Sequence, residues 1–222
     1  MLTTNFFNQD AITLAKTLLG KVIRVKHNDL WLAAMIIETE AYYKNEKGSH
    51  SSLGYTEKRK ALFMPPGTIY MYYARGGDSF NISCQGEGNA VLIKSAFPYI
   101  ENAPLGSPIL STMQQLNPQK NTPALRPIEK LCAGKTLLCK ALGLKVKDWD
   151  QKIFTKEKFF IDDAGYKPEK IIQTTRLGIP TGRDSHLPFR FIDYSKAQFC
   201  TSNPIPKKNS DHCIISGDHS AI

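Results

Sequence analysis

No stretch of this 222-residue chain approaches the apolar run that a bilayer demands, since a spanning helix takes about 20 predominantly apolar residues. No basic amphipathic helix suggests a membrane-surface role either. Residues Met1–Asp10 show no basic segment followed by an apolar core, so no secretory leader is expected. The sequence holds no C-x-x-C. Its five cysteines (Cys84, Cys132, Cys139, Cys200, Cys213) are odd in number and irregularly spaced. That pattern supports neither a zinc site nor a dithiol redox pair. It suits a reducing compartment, with most thiols as small buried apolar groups. Cytosol beside the nucleoid is the expected location for a bacterial chain, and the nucleus for a eukaryotic one.

Other signals are missing too. The histidines (His27, His50, His186, His212, His219) show no helical metal-ligand pairing, so no metal is expected. Neither Ser83 nor Ser185 sits in a nucleophile-elbow motif. Gly134-Lys135-Thr136 looks like the end of a phosphate-binding loop, but Glu129 stands where that loop needs a glycine. Gly86-Glu87-Gly88 reads as a hairpin turn. Acidic residues are in deficit, 20 against 29 Lys+Arg, which leaves a formal charge of +9. A surplus of this size favours a polyanionic partner, nucleic acid first and an anionic membrane second. Part of it, at Lys207–Lys208, lies near a polar tail.

What is present reads as one mixed domain. Residues 10–20 carry apolar positions at Ile12, Ala15, Leu18 and Leu19, with Asp10 to cap and Gly20 to stop a helix. Val22–Val25 and Trp31–Glu40 form a hairpin about His27-Asn28-Asp29. Residues 44–59 read as a polar loop over the site. Strand patterns follow at 68–73, 80–84 and 90–96, with tight turns at Pro65-Pro66-Gly67 and Arg75–Asp78. Helices are expected at Ile109–Leu116 and Ile128–Leu142, and further strands at Phe159–Asp162 and Phe189–Ile192. The economical fold class is α+β, a single domain whose curved, largely antiparallel sheet is flanked by helices. That domain is expected to span residues 1–202, and residues 203–222 to form a polar, frayed tail.

The most informative stretch is Ile36-Ile-Glu-Thr-Glu-Ala-Tyr-Tyr43. Side chains alternate along a strand, so Glu38, Glu40 and Tyr42 share a face. A carboxylate at the rim of an apolar strand is costly unless paired or used. The bland account, an ion pair marking where the strand leaves the core, stands level with a functional one on this octapeptide alone. Glu38 reads as structural.

The order of motifs is more specific. Leu-Leu-Gly-Lys at 18–21 precedes Glu-Thr-Glu-Ala-Tyr at 38–42 and His50-Ser51. Met-Pro-Pro-Gly-Thr-Ile-Tyr at 64–70 and Asn-Ile-Ser-Cys-Gln-Gly-Glu-Gly at 81–88 follow. Later come Leu-Cys-Ala-Gly-Lys at 131–135, Arg-Leu-Gly-Ile at 176–179 and Leu-Pro-Phe-Arg-Phe at 187–191. Each motif is weak alone. In this order, over about residues 5–193, the series resembles the alkyladenine (3-methyladenine) DNA glycosylase family of the mammalian type.

The resemblance implies cofactor-free hydrolysis of the N-glycosidic bond of alkylated or otherwise damaged purines in double-stranded DNA, by a monomer. It implies that the base is rotated out of the duplex, at a cost of a few kcal/mol. Glu40 then matches the general base that activates water, and Lys94 falls where the family carries an arginine beside it. Tyr42 matches the residue stacking on one face of the base, His50 and Tyr72 those on the other. Asn81 matches the pocket asparagine that excludes guanine's amino group, though a hairpin asparagine would look the same. Ile179 matches a position whose backbone carbonyl holds the water. A cationic alkylated purine on a tyrosine face would gain about 0.5–2 kcal/mol.

The chain departs from that pattern in three places. The loop between Tyr42 and His50 is one residue short. Lys94 lacks the planar fork of an arginine. At 73–79 the chain is one residue shorter, and Arg75 stands where a wedging tyrosine precedes a glycine. Arg75 or Tyr73 is therefore expected to fill the void left by the flipped base, in preference to the alternative that Arg75–Asp78 is a rigid turn held by an internal ion pair. Lys58, Arg59, Lys60, Arg126, Lys135, Arg176 and Arg183 are expected to meet phosphates, weakly one by one and strongly together. Two further readings remain open. One is a nucleic-acid-binding module with weak chemistry. The other is a lyase with Lys94 as Schiff-base nucleophile, which needs a neutral amine where a carboxylate neighbour favours the ammonium.

Overall fold

The computed structural model describes residues 1–74, 76–100, 107–207 and 211–217. Two short N-terminal helices, α1 (Thr4–Phe7) and α2 (Ala11–Thr17), lead into the sheet. The Asp10 carboxylate accepts from the Ile12 and Thr13 amides and caps α2, and Gly20 takes a positive φ where the chain turns into the first strand. Strand β1 (Val22–His27) and the 13-residue β2 (Leu30–Tyr42) form the expected hairpin, with Asn28 in the left-handed region at its turn.

β2 is the spine of the molecule. Its first half pairs with β1, and its second half pairs on one side with β5 (Ala90–Pro98). Register shifts around Glu38 mark a bulge where the strand bends. Beyond β5 lie β4 (Gly77–Ser83) and β3 (Ile69–Ala74). β6 (Phe159–Asp162) pairs with β1. On the other side of β2's second half come β8 (Arg190–Asp193), β7 (Lys170–Thr174) and β9 (His212–Ser216). All pairings between these strands are antiparallel. α2, α3 (Pro108–Leu116) and α4 (Lys135–Ala141) pack against the sheet, around a core that includes Leu14, Ile36, Phe80, Leu138 and Phe159. This is the α+β class that the sequence indicates. No helix among the described residues is long and apolar enough to cross a membrane.

Three local expectations need correction. The helix expected over 128–142 is broken. A 3-10 turn covers Ile128–Lys130, and α4 starts only at Lys135, because Gly134 adopts φ 125° and Cys132 turns its carbonyl to the Ala96 amide. The 44–59 loop passes into a 3-10 segment, Glu57–Phe63, whose Ala61 and Leu62 pack on Tyr70. The tail expected to fray from 203 contributes β9, which pairs with β7 from Lys170 to Thr174. Residues 208–210 and 218–222 of that tail lie outside the described residues.

Candidate active site and base pocket

Glu40 lies on β2 with no solvent exposure. Lys94 of β5 approaches to 3.0 Å from its Oε1. The Leu177 amide donates to the same oxygen at 3.1 Å, and the Tyr42 hydroxyl donates to Oε2 at 2.8 Å. The Tyr42 contact confirms that residues 40 and 42 share a side of the strand. Burial opposes ionisation of Glu40. The Lys94 charge and the Leu177 and Tyr42 hydrogen bonds outweigh it and hold the carboxyl below the usual carboxylate range. Glu40 therefore persists as a buried anion at neutral pH. Burial, reinforced by the same carboxylate, pushes the Tyr42 phenol well above its ordinary value, so Tyr42 stays protonated and donates.

Glu38 occupies a different network. Arg190 Nε lies 2.6 Å from its Oε1, while Ser95 Oγ and the Thr201 amide donate to Oε2 at 2.5 and 2.8 Å. Arg190 also reaches the Ser202 carbonyl at 2.7 Å. The glutamate thus ties β8 and the segment after it to β2.

Over Glu40 lies a cavity of about 380 Å³. Tyr42, Lys94 and Leu177, the three groups bonded to the carboxylate, all line it. The wall also includes His50, Tyr70 and Tyr72. The His50 and Tyr72 rings are 4.5 Å apart at their centroids, and His50 Nδ1 is 2.9 Å from the Tyr70 hydroxyl. Burial lowers the His50 pKa, and the charges of Lys135, Arg59 and Arg183 lower it further, so its imidazole is neutral at neutral pH. Asn81 lines the cavity and donates Nδ2 to the Tyr70 carbonyl at 3.1 Å. Ile179 closes another side, next to Gly178 and Pro180. The expected set Glu40, Lys94, Tyr42, His50, Tyr72, Asn81 and Ile179 is thus gathered at one place.

The expected phosphate contacts divide. Lys58 and Lys60 are exposed, and Arg59 donates to the Gly54 carbonyl. Arg183 lines the cavity mouth and donates Nε to the Lys47 carbonyl at 2.9 Å. Arg126 is occupied by the carbonyls of Asn117 and Pro118. Arg176 is not a surface charge. It is 4% exposed, paired with Glu46, and stacked at 4.5 Å from the Tyr42 ring centroid. Its run Arg-Leu-Gly-Ile is held inward by the bonds from Arg176 to the Ala41 carbonyl and from the Leu177 amide to Glu40. Tyr73 is 68% exposed near the end of β3. Arg75, the other wedge candidate, lies outside the described residues.

Sequence reasoning did not assign Tyr70, Leu177 or Lys135 to the pocket, although Lys135 is among the expected phosphate contacts. Tyr70 was legible, two residues before Tyr72 on the same strand. Lys135 places its ammonium 4.8 Å from the Tyr72 ring centroid and 3.2 Å from its hydroxyl, so the spurned Gly-Lys-Thr serves the pocket wall. Leu177 acts through its backbone amide, for which side-chain chemistry gives no sign.

An open cavity lined by aromatic rings and cationic side chains, beside a buried anionic carboxylate, suits a hydrolytic enzyme that takes up a planar base. Comparison with known proteins agrees. The methylpurine-DNA glycosylase (MPG) family matches residues 5–197, so the chain belongs to that family and is a DNA glycosylase. It is 63% identical over 204 residues to a protein of Pseudomonas syringae pv. syringae provisionally named a 3-methyladenine DNA glycosylase, covering 92% of this chain and 91% of that one. A protein of Pseudomonas aeruginosa under the same provisional name is 58% identical over 204 residues, 92% of this chain and 84% of its own. The human DNA-3-methyladenine glycosylase is 34% identical over 198 residues, 84% of this chain and 63% of its own.

Proposed function

We propose that this DNA glycosylase excises 3-methyladenine and related damaged purines from duplex DNA, as a monomer in the cytosol beside the chromosome, with Glu40 as general base. The observation that carries this reading is the Glu40 carboxylate, held ionised by Lys94 and the Leu177 amide directly beneath the ring-walled cavity. A purine between Tyr42 and the His50–Tyr72 pair must present its C1′ on the Glu40 side of the cavity, where that carboxylate can reach the attacking water. Water adds to C1′, the C1′–N9 bond breaks with its electron pair going to the base, and Glu40 takes the water's proton. The carboxylate also stabilises the positive charge that builds on the sugar. Alkylation at N3 or N7 makes the base a better leaving group, so bond lability contributes to lesion choice. Asn81 crowds the exocyclic amine of guanine. The exposure of Tyr73, two positions before Arg75 in the sequence, supports the view that one of the two fills the gap in the duplex.

The lyase alternative is disfavoured by the ion pair, since Lys94 is committed to Glu40 at 3.0 Å. The test is a set of duplexes each carrying one damaged purine. Free base and an intact abasic strand are expected, with no covalent adduct on borohydride treatment. A trapped adduct would make the enzyme a lyase, and absence of base release from every duplex would refute the reading.

A further inference from the structure

Two observations bear on how the pocket treats charge. Among the described residues none of those lining the cavity is acidic; Lys135 and Arg183 are cationic, and the charge of Lys94 is paired with the Glu40 carboxylate behind it. The Arg176 guanidinium also lies 4.5 Å from the centroid of Tyr42 and 5.5 Å from that of Phe189. The cavity touches Tyr42 but not Arg176, so the guanidinium covers the ring face turned away from the base. It is held there by Glu46 and by the Ala41 carbonyl at 2.9 Å. Its Nε has no hydrogen-bond partner among the described residues. A buried charge with an unsatisfied donor costs stability, and stacking on Tyr42 gives it a use.

A cation behind an aromatic ring draws π density toward itself. The opposite face then holds a positive guest less well, because cation–π attraction depends on that density. We propose that Arg176 is a specificity-determining positioning residue. Acting through Tyr42, it weakens the hold on cationic purines and biases base capture toward neutral damaged purines. The inference rests on the proposed role of Tyr42 as a stacking platform. Cationic lesions are still removed, because their glycosidic bonds are intrinsically labile, but the pocket adds less binding to them.

The test compares duplexes carrying one 7-methylguanine, which is cationic, or one hypoxanthine, which is neutral. Single-turnover excision against enzyme concentration gives a half-saturation and a maximal rate for each. The double variant Arg176→Met, Glu46→Gln removes the charge without stranding a buried glutamate. It is expected to lower half-saturation for the cationic lesion about fivefold relative to the neutral one. Arg176→Lys keeps the charge and should leave the ratio as in wild type. Glu46→Gln alone leaves the guanidinium uncompensated, and its oxygen can still accept from the Tyr43 amide. It should move the ratio the opposite way, so the proposal remains exposed if the double variant does not fold. Equal changes for both lesions would mean that Arg176 only packs, and the proposal would be lost. Failure of wild type to release either base would instead overturn the glycosylase reading itself.

Discussion

At the scale of single residues, the proposed chemistry turns on keeping one buried carboxylate ionised. Desolvation works against the ionised form of Glu40, and Lys94 is the largest of the groups opposing it. The folded-state pKa of Glu40 is depressed. Its stabilising contribution is therefore fully present above the ordinary carboxylate value and is lost as pH falls through the folded one. Lys94→Met should reverse the shift, so the acidic limb of the excision profile moves to higher pH. Thermal or urea unfolding should show a loss of about 3–5 kcal/mol, the cost of stranding a buried ion. Lys94→Arg should preserve both. An unchanged acidic limb in Lys94→Met would show that Leu177 and Tyr42 suffice to hold the charge. Much of this was legible. The octapeptide around Glu40 and the position of Lys94 pointed to the pair, whereas Leu177 was hidden because a backbone amide leaves no trace in residue type.

Among elements, the pocket depends on how closely α4 approaches the β3–β4 hairpin. A Cβ added at Gly77 would lie 2.1 Å from Thr136 Cγ2 and 2.6 Å from its Oγ1. Gly77→Ala should therefore push α4 from β4 and destabilise by about 1–3 kcal/mol. Thr136→Ala in the same chain should recover part of the loss, since only the Cβ contact at 2.8 Å persists. Urea midpoints for the two variants check this, and an unaltered midpoint for Gly77→Ala would contradict it. Elements with a clear apolar period, α2, β1 and β2, were readable from sequence. β9 was not, because it is an edge strand with exposed Cys213 and Ile214 and shows no alternation of burial. α4 was misplaced because apolar residues run up to Gly134, and only the positive φ of Gly134 and the Ala96–Cys132 bond break the helix there.

Taken whole, the molecule carries its +9 charge unevenly in function. Arg176 and Arg190 are buried in ion pairs and cannot meet DNA. Lys58, Lys60 and Arg183 remain near or outside the pocket mouth. Composition alone could not separate these groups, since burial is a property of the fold. If roughly four phosphates are neutralised, affinity for an undamaged duplex should fall about 100-fold between about 50 and 200 mM salt. The slope of log affinity against log salt should shrink by about 2 in a Lys58→Ala, Lys60→Ala variant. A slope near zero in the wild type would refute the electrostatic footing of DNA binding.

The decisive measurement is single-turnover release of the damaged base from one-lesion duplexes by wild type and Glu40→Gln. The glutamine keeps the shape of the side chain and can still accept from Leu177, but it cannot take a proton from water. Duplex affinity should hold while the rate falls by about 100-fold or more. Release at the wild-type rate would show that Glu40 does not activate water, and the account of this site would fail.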